Sequence, residues 1–389
     1  MASIQLQGDN SGSLTIQAPS DAGNHTLTLP ATTHTLATQN ALGVRNLIIN
    51  GDMRIAQRGT SATGISTAAY KTVDRFKMTA GAGTSVWSMT QDTDVPSGQG
   101  FANSVRLNCT TAEATVVDHI HLMQIIEAQN CQHLKYGTSN AEQLTLSFWV
   151  KSNKTGTYVA WFYQVDDVRQ TNKTYTIDAA NTWEKKTITI SSDTIGVIDN
   201  DNDQGLMVRW ILGAASALTS GTSPDGTWEA YTDANAYAGQ TVNLADSTSN
   251  YINITGVQLE VGDTATPFEH RPYDMELERC KRYYEKMTAP NSYTRFAVGQ
   301  CVATTQSKTL LYFTEKRAVP SIAFATTSLF MVGANTGGGL LCTAITSEQP
   351  SYKTVGIVAN VSSGLSTGDA TYLAANNSTS AYIEISSEL

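Results

Sequence analysis

Three acidic residues spaced two apart, Asp199, Asp201 and Asp203 in "DNDNDQG", have the spacing of the first half of a calcium-binding loop. The match ends there. Gln204 stands where such a loop needs glycine for its sharp turn, and the twelfth position is Trp210 instead of a bidentate acid, so the stretch reads as a solvated turn before the strand "GLMVRWILG". In "DHIHL", His119 and His121 are two apart and share one face of a strand, but a metal site needs further ligands and none is near in sequence. Asp166 and Asp167 in "QVDDVRQ" could suggest glycosidase acids. Adjacent strand residues point to opposite faces and could not flank one bond, so they read as a loop pair. There is no GxSxG elbow, HExxH pair, phosphate loop or GxGxxG turn. No catalytic residue, bound metal or cofactor is expected, and the chain reads as a non-enzyme.

The aromatic side chains are the better candidates, because a sugar ring can stack on an exposed aromatic face. Trp149, Trp161, Tyr163, Trp183, Trp210 and Trp228 all fall in the middle of the chain. Trp149 and Trp210 sit within apolar runs and are expected in the core, whereas Trp228 in "SPDGTWEAY" is expected to reach solvent. Trp161, Tyr163, Trp183 and Trp228 are therefore the candidate glycan-binding residues.

What positions them is predominantly β. In the 389 residues, 41% are hydrophobic and only 15% charged, a balance that suits strands with short turns. Residues 1–43 alternate apolar and polar at Leu14 and Ile16 and again at Leu27 and Leu29, with "SDAGN" as turn chemistry between them. Such short strands cannot bury a core alone, so their apolar faces need a partner. Residues 44–272 run strand after strand, punctuated by "DVPSGQG", "KSNKTG" and "TSPDGTW", which predicts a jelly roll or β-sandwich. Residues 273–288 predict one linking helix, with Asp274 as cap and Leu277, Cys280, Tyr284 and Met287 forming an apolar stripe. That stripe is a candidate for the elbow between domains and for an axis where copies meet. Residues 289–389 return to β, as in "SIAFAT" and "AYIEIS".

A net charge of −9 with no basic run argues against nucleic-acid binding. No apolar stretch reaches the ~18 residues of a membrane span, and "MASIQLQGDNSG" has no signal-peptide pattern. Cys109, Cys131, Cys280, Cys301 and Cys342 form no CxxC pair and read as free thiols of a reducing compartment, with a link between distant members left open. The Asn-x-Thr sequons at Asn24, Asn108, Asn153, Asn172 and Asn253 are not expected to be glycosylated without a secretory signal.

Taken together, "NLIINGDMRIAQRGTS", "VDRF", "LTLSFWVKS", "TGTYVAWF", "GTWEAY" and above all "GVQLEVGDTATPFEHRPYDMELERCKRYYE" resemble the framework of tail fibre and related virion proteins of tailed bacteriophages. "SGSLTIQAP" and "TLTLPATTHTLAT" are similar to the amino-terminal repeats of such proteins, and "LYFTEKRAVPSIAF" to a hairpin near their end. The resemblance implies a homotrimeric virion appendage, assembled in the host cytoplasm, with a carbohydrate-module-like jelly roll. Its amino-terminal piece, here with Leu14, Ile16, Leu27 and Leu29, would attach to phage tail or adaptor proteins, and its partner outside the particle would be a host cell-surface glycan. His270, Arg271 and Arg317, in the joining motif and the late hairpin, would fix domain geometry. Two alternatives remain open at this stage: a capsid decoration or head fibre, and a polysaccharide depolymerase with carboxylates that converge from distant positions. Tailspike depolymerases usually carry a long β-helix, and no parallel repeat is visible here.

Overall fold

The computed structural model describes residues 3–7, 13–17, 45–334 and 338–389. The chain divides into two compact units, Met1–Leu42 and Gly43–Leu389. In the first, strands β1 (Ser3–Gln7) and β2 (Ser13–Gln17) pair antiparallel, with Ile4 opposite Ile16 and Leu6 opposite Leu14. Leu27 and Leu29 lie outside the described residues.

The second unit is all-β apart from short helical segments. Strands are numbered along the chain. One sheet has seven strands in the order β14 (Glu229–Ala230), β11 (Arg169–Ile177), β10 (Gly156–Gln164), β13 (Gln204–Ala214), β8 (His119–Glu127), β5 (Lys77–Ala80) and β4 (Ala69–Tyr70). A second has six, β12 (Glu184–Ile190), β9 (Leu144–Ser152), β15 (Tyr251–Val261), β7 (Ser104–Thr111), β6 (Val86–Asp92) and β3 (Ser61–Ile65). Every pairing in both sheets is antiparallel. Their inner faces share one core, to which β13 contributes Leu206, Val208, Trp210 and Leu212, and β9 contributes Leu144, Leu146, Phe148 and Val150. Period-two alternation thus makes a sandwich, and it sends Met207, Arg209 and Ile211 of β13 to the outer face of the seven-stranded sheet.

The expected helix is half as long as its apolar stripe suggests. Helix α2 spans Tyr273–Lys281, after a four-residue helix α1 at Asp233–Ala236. Pro272 stands at its N-cap and no side chain caps it, so Asp274 is a first-turn residue and not the cap. Tyr284 begins strand β16 (Tyr284–Thr288), which pairs with β24 (Tyr382–Ser386); ladder bonds there outweigh continuation of a short, marginal helix. β24 in turn pairs with β19 (Ser321–Phe324). A closed barrel follows, in the order β17 (Arg295–Ala303), β18 (Gln306–Tyr312), β22 (Thr354–Val361), β21 (Gly339–Glu348), β20 (Phe330–Ala334) and β23 (Ala370–Ala375).

The stripe residues are used inside the chain. Cys280 and Tyr284 are fully covered, Leu277 packs with Ile49, Ile55, Met123 and Leu389, and Met287 packs on the barrel core. Their contacts thus lie within one chain, with the segment at residues 49–55, β8 and the barrel core. Around them the joint is tied by buried ions. Arg271 pairs with Glu276 and Glu269, both at 3.2 Å, and also donates to the Ile48 carbonyl. Glu127 takes both ends of the Arg282 guanidinium at 2.7 and 2.8 Å, and Lys316 donates to Glu285 at 2.7 Å. Arg317 donates to carbonyls of Asn202, Ser387 and Glu388, and Glu388 is also held by Arg58 and Arg75. The structural roles expected of Arg271 and Arg317 match these contacts; His270 is exposed, its ring against Phe101 and Phe268. All five cysteines are buried and free.

Candidate functional site

β10 is buried on both faces along much of its length because its outward side chains are covered as well. Val159, Trp161 and Tyr163 alternate outward, and Ile211 of β13 joins them beneath Ala236 and Tyr237 of the α1 segment. Trp161 and Tyr163 stack at 5.0 Å with planes 11° apart. Tyr231 meets both edge-on, at 6.4 Å from Trp161 and 5.6 Å from Tyr163. Arg209 lies over the Trp161 ring at 4.5 Å and donates to the Tyr237 hydroxyl at 2.9 Å.

Exposure ranks these rings. Trp161 is only 3% exposed, Tyr163 is half-buried and Tyr231 is 39% exposed. Trp161 is therefore the support, and Tyr163 and Tyr231 are the surfaces a ligand would touch. The Trp161 indole donates to Gln170 at 3.1 Å, and Gln170 donates onward to Glu229 at 3.0 Å, which fixes the ring plane. The Tyr231 hydroxyl donates to Asp233 at 2.6 Å. Burial raises the pKa of Tyr163, and burial with Asp233 raises that of Tyr231, so both hydroxyls stay protonated near neutral pH.

The patch continues to β8. His119 and His121 stack at 4.9 Å, and His119 Nδ1 lies 2.7 Å from Asp118. Burial, followed by the Arg209 cation, pushes His121 far below its usual value, so this ring is neutral; neither of its nitrogens has a partner among the described residues. The two histidines do share a face as their spacing predicts, with His119 partly exposed and His121 buried.

The other predicted residues go elsewhere. Trp228 is 7% exposed, edge-on to Tyr136 and bonded to the Ser191 carbonyl, so the expectation that it reaches solvent fails: its turn folds back over the sandwich core. Trp183 belongs with the other sheet, where its indole donates to Asp94 at 2.9 Å beside Lys151. Trp210 is in the core as expected, while Trp149 is half-buried on the outer side of β9, next to Gly256. The two acidic loops, read separately in sequence, meet: the Asp199 amide donates to Asp166 at 3.0 Å and the Val197 amide to Asp167 at 2.6 Å. Among the described residues no group of three or more His, Cys, Asp or Glu could hold a metal ion. Arg209 was legible from the alternation of β13, whereas Tyr231 and Tyr237 arrive on irregular segments that carry no periodic signal.

No protein-family model and no curated protein matches the chain. Among solved structures it is similar to the enzymatically active domain of tailspike protein 4 of bacteriophage CBA120, at 14% identity over 56% of this chain and 21% of that one, with a TM-score of 0.28. It is also similar to a family 4 carbohydrate-binding module, at 15% identity over 55% of this chain and 98% of that one, TM-score 0.27. A third is the family 11 carbohydrate-binding module of a cellulosomal cellulase from Clostridium thermocellum, at 10% identity over 58% and 97%, TM-score 0.23. The chain spans about a fifth of the length of the tailspike domain. Likenesses at this level say nothing about which residues act.

Proposed function

We propose that this chain is a saccharide-binding, non-catalytic component of a bacteriophage tail fibre or short spike. Three copies adsorb the particle to glycans on the host surface. The observation that carries the binding reading is the stacked Trp161 and Tyr163 pair with Tyr231 set across it. Two rings held by strand β10 and a third on the segment after β14, with Arg209, Glu229 and Asp233 around them, offer apolar faces for the C–H side of a sugar and donors and acceptors for its hydroxyls. A rigid strand positions such a platform better than a loop.

The virion part of the reading is supported by the resemblance of residues 256–284 to tail fibre frameworks. Attachment to the tail is assigned to the amino-terminal unit, including Leu14 and Ile16 on β2. Multivalency supplies the rest: weak sites on linked copies raise effective concentration without new contacts. The test is binding of the purified chain to bacterial surface polysaccharides, with reducing-sugar release measured alongside. Binding without sugar release fits; sugar release would favour a depolymerase, and absence of binding to any surface polysaccharide would remove the adsorption role.

A further inference from the structure

A cleft of about 730 Å³ opens at the joint and shares no lining residue with the aromatic patch. Its volume lies within the roughly 300–1,000 Å³ of small-ligand sites. Tyr283, almost fully buried, helps to line it, and Asn130 and His133 come from the short helical turn Ala128–Leu134.

One of the cations lining this cleft keeps its donors unused. Arg282 is neutralised by Glu127, and Glu315 pairs with Lys353 at 3.0 Å. Burial pulls His133 below its ordinary value, which keeps it neutral at pH 7. That leaves Arg279: half-buried, one turn along α2 from Glu276, it has no hydrogen bond or ion pair among the described residues. Burial and the like charge of Arg271 act against its cation while Glu276 and Glu269 act for it, yet none of these groups takes up its N–H donors, which an anion in the cleft could. A guanidinium presents a planar fork of donors that fits a carboxylate with two parallel bonds. The Asn130 side chain is likewise exposed at the cleft with no bond among the described residues, and an amide can both give to and accept from a sugar hydroxyl.

We infer that this cleft binds the carboxylate of an acidic saccharide unit, with Arg279 as its charge partner and Asn130 on its hydroxyls. One guanidinium with unused donors matches the two oxygens of a single carboxylate, and the carboxylates of Glu276, Glu269 and Glu315 nearby disfavour a phosphate monoester carrying more charge. The saccharide half of the assignment rests on the reading proposed above; the anion half stands without it.

The experiment is calorimetric or saturation-transfer titration of the full chain with D-glucuronic acid, D-glucose and inorganic phosphate, on wild type, Arg279→Gln, Arg279→Lys and Tyr163→Ala. Glucuronate should bind, weaken with added salt, and lose about tenfold or more in Arg279→Gln, with part of the loss restored in Arg279→Lys and none seen in Tyr163→Ala. No glucuronate binding, equal binding by Arg279→Gln, or phosphate bound more tightly than glucuronate overturns the assignment. Loss in Tyr163→Ala alone would move glucuronate to the aromatic patch and overturn the cleft while the patch survives. Loss in Arg279→Gln with no saccharide held at the patch would leave the cleft standing and the patch reading refuted.

Discussion

Trp161 and Tyr163 differ by two positions in sequence and by their share of solvent, and that difference assigns them separate tasks. Trp161 carries Arg209 over its ring and a bond to Gln170, so Trp161→Ala should cost both saccharide binding and about 3–5 kcal/mol of stability, read by binding titration and by urea unfolding. Tyr163→Ala should weaken binding by roughly three- to tenfold and cost less stability than Trp161→Ala, since its ring is only partly buried. Another residue effect concerns pH. Burial, opposed by bonds from Gln57 and the charge of Arg58, lifts the Asp74 carboxyl from 3.8 to about 6. Between those values the folded chain holds a proton that the unfolded chain has released, so this group lowers stability as pH rises through that window, by at most about 3 kcal/mol. Below the unfolded value both states are protonated and the penalty vanishes. Asp74→Asn should therefore gain on wild type in urea midpoint at pH 7, with the gap closing by pH 4; a gap that does not change with pH would contradict the assignment.

At the scale of elements, the joint is the feature that organises the unit. Arg271 is bonded to Glu276, Glu269 and main-chain carbonyls of the segment at residues 46–48, so α2, the turn after β15 and the start of the sandwich depend on one side chain. Arg271→Ala leaves Glu276 buried without its cation and should destabilise by roughly 3–5 kcal/mol, measured by urea unfolding. Gly256 makes the register shift within β15 possible: its φ is +61°, and a Cβ there would come within 2.6 Å of the Phe101 ring and 3.0 Å of Trp149. Gly256→Ala should cost about 1–2 kcal/mol for the left-handed backbone alone, with a further loss from ring displacement. The strands were legible because alternation in "GLMVRWILG" and "LTLSFWVKS" reports a two-faced sheet directly. The helix was misjudged in length because residues 284 and 287 keep the apolar spacing of a helix while pairing with β24, a tertiary contact that no local pattern carries. Trp228 was misplaced for a related reason: turn chemistry around it is real, yet the turn packs its indole inward.

For the whole molecule, the amino-terminal hairpin and the large unit divide the work in the proposed reading between attachment and adsorption. Light scattering of the purified chain should give three times the 41.8 kDa chain mass; a monomer mass at working concentration would refute the trimer. Since Leu277, Cys280, Tyr284 and Met287 are committed within one chain, their substitution should lower stability before it changes copy number. The most direct test is a microarray of bacterial surface glycans probed with the full chain, wild type beside a Tyr163→Ala/Tyr231→Ala double variant of unchanged unfolding midpoint. A set of glycans held by wild type and lost by the variant is the expected result. No glycan held, or the same glycans held equally by both, would contradict a saccharide-binding face on the seven-stranded sheet.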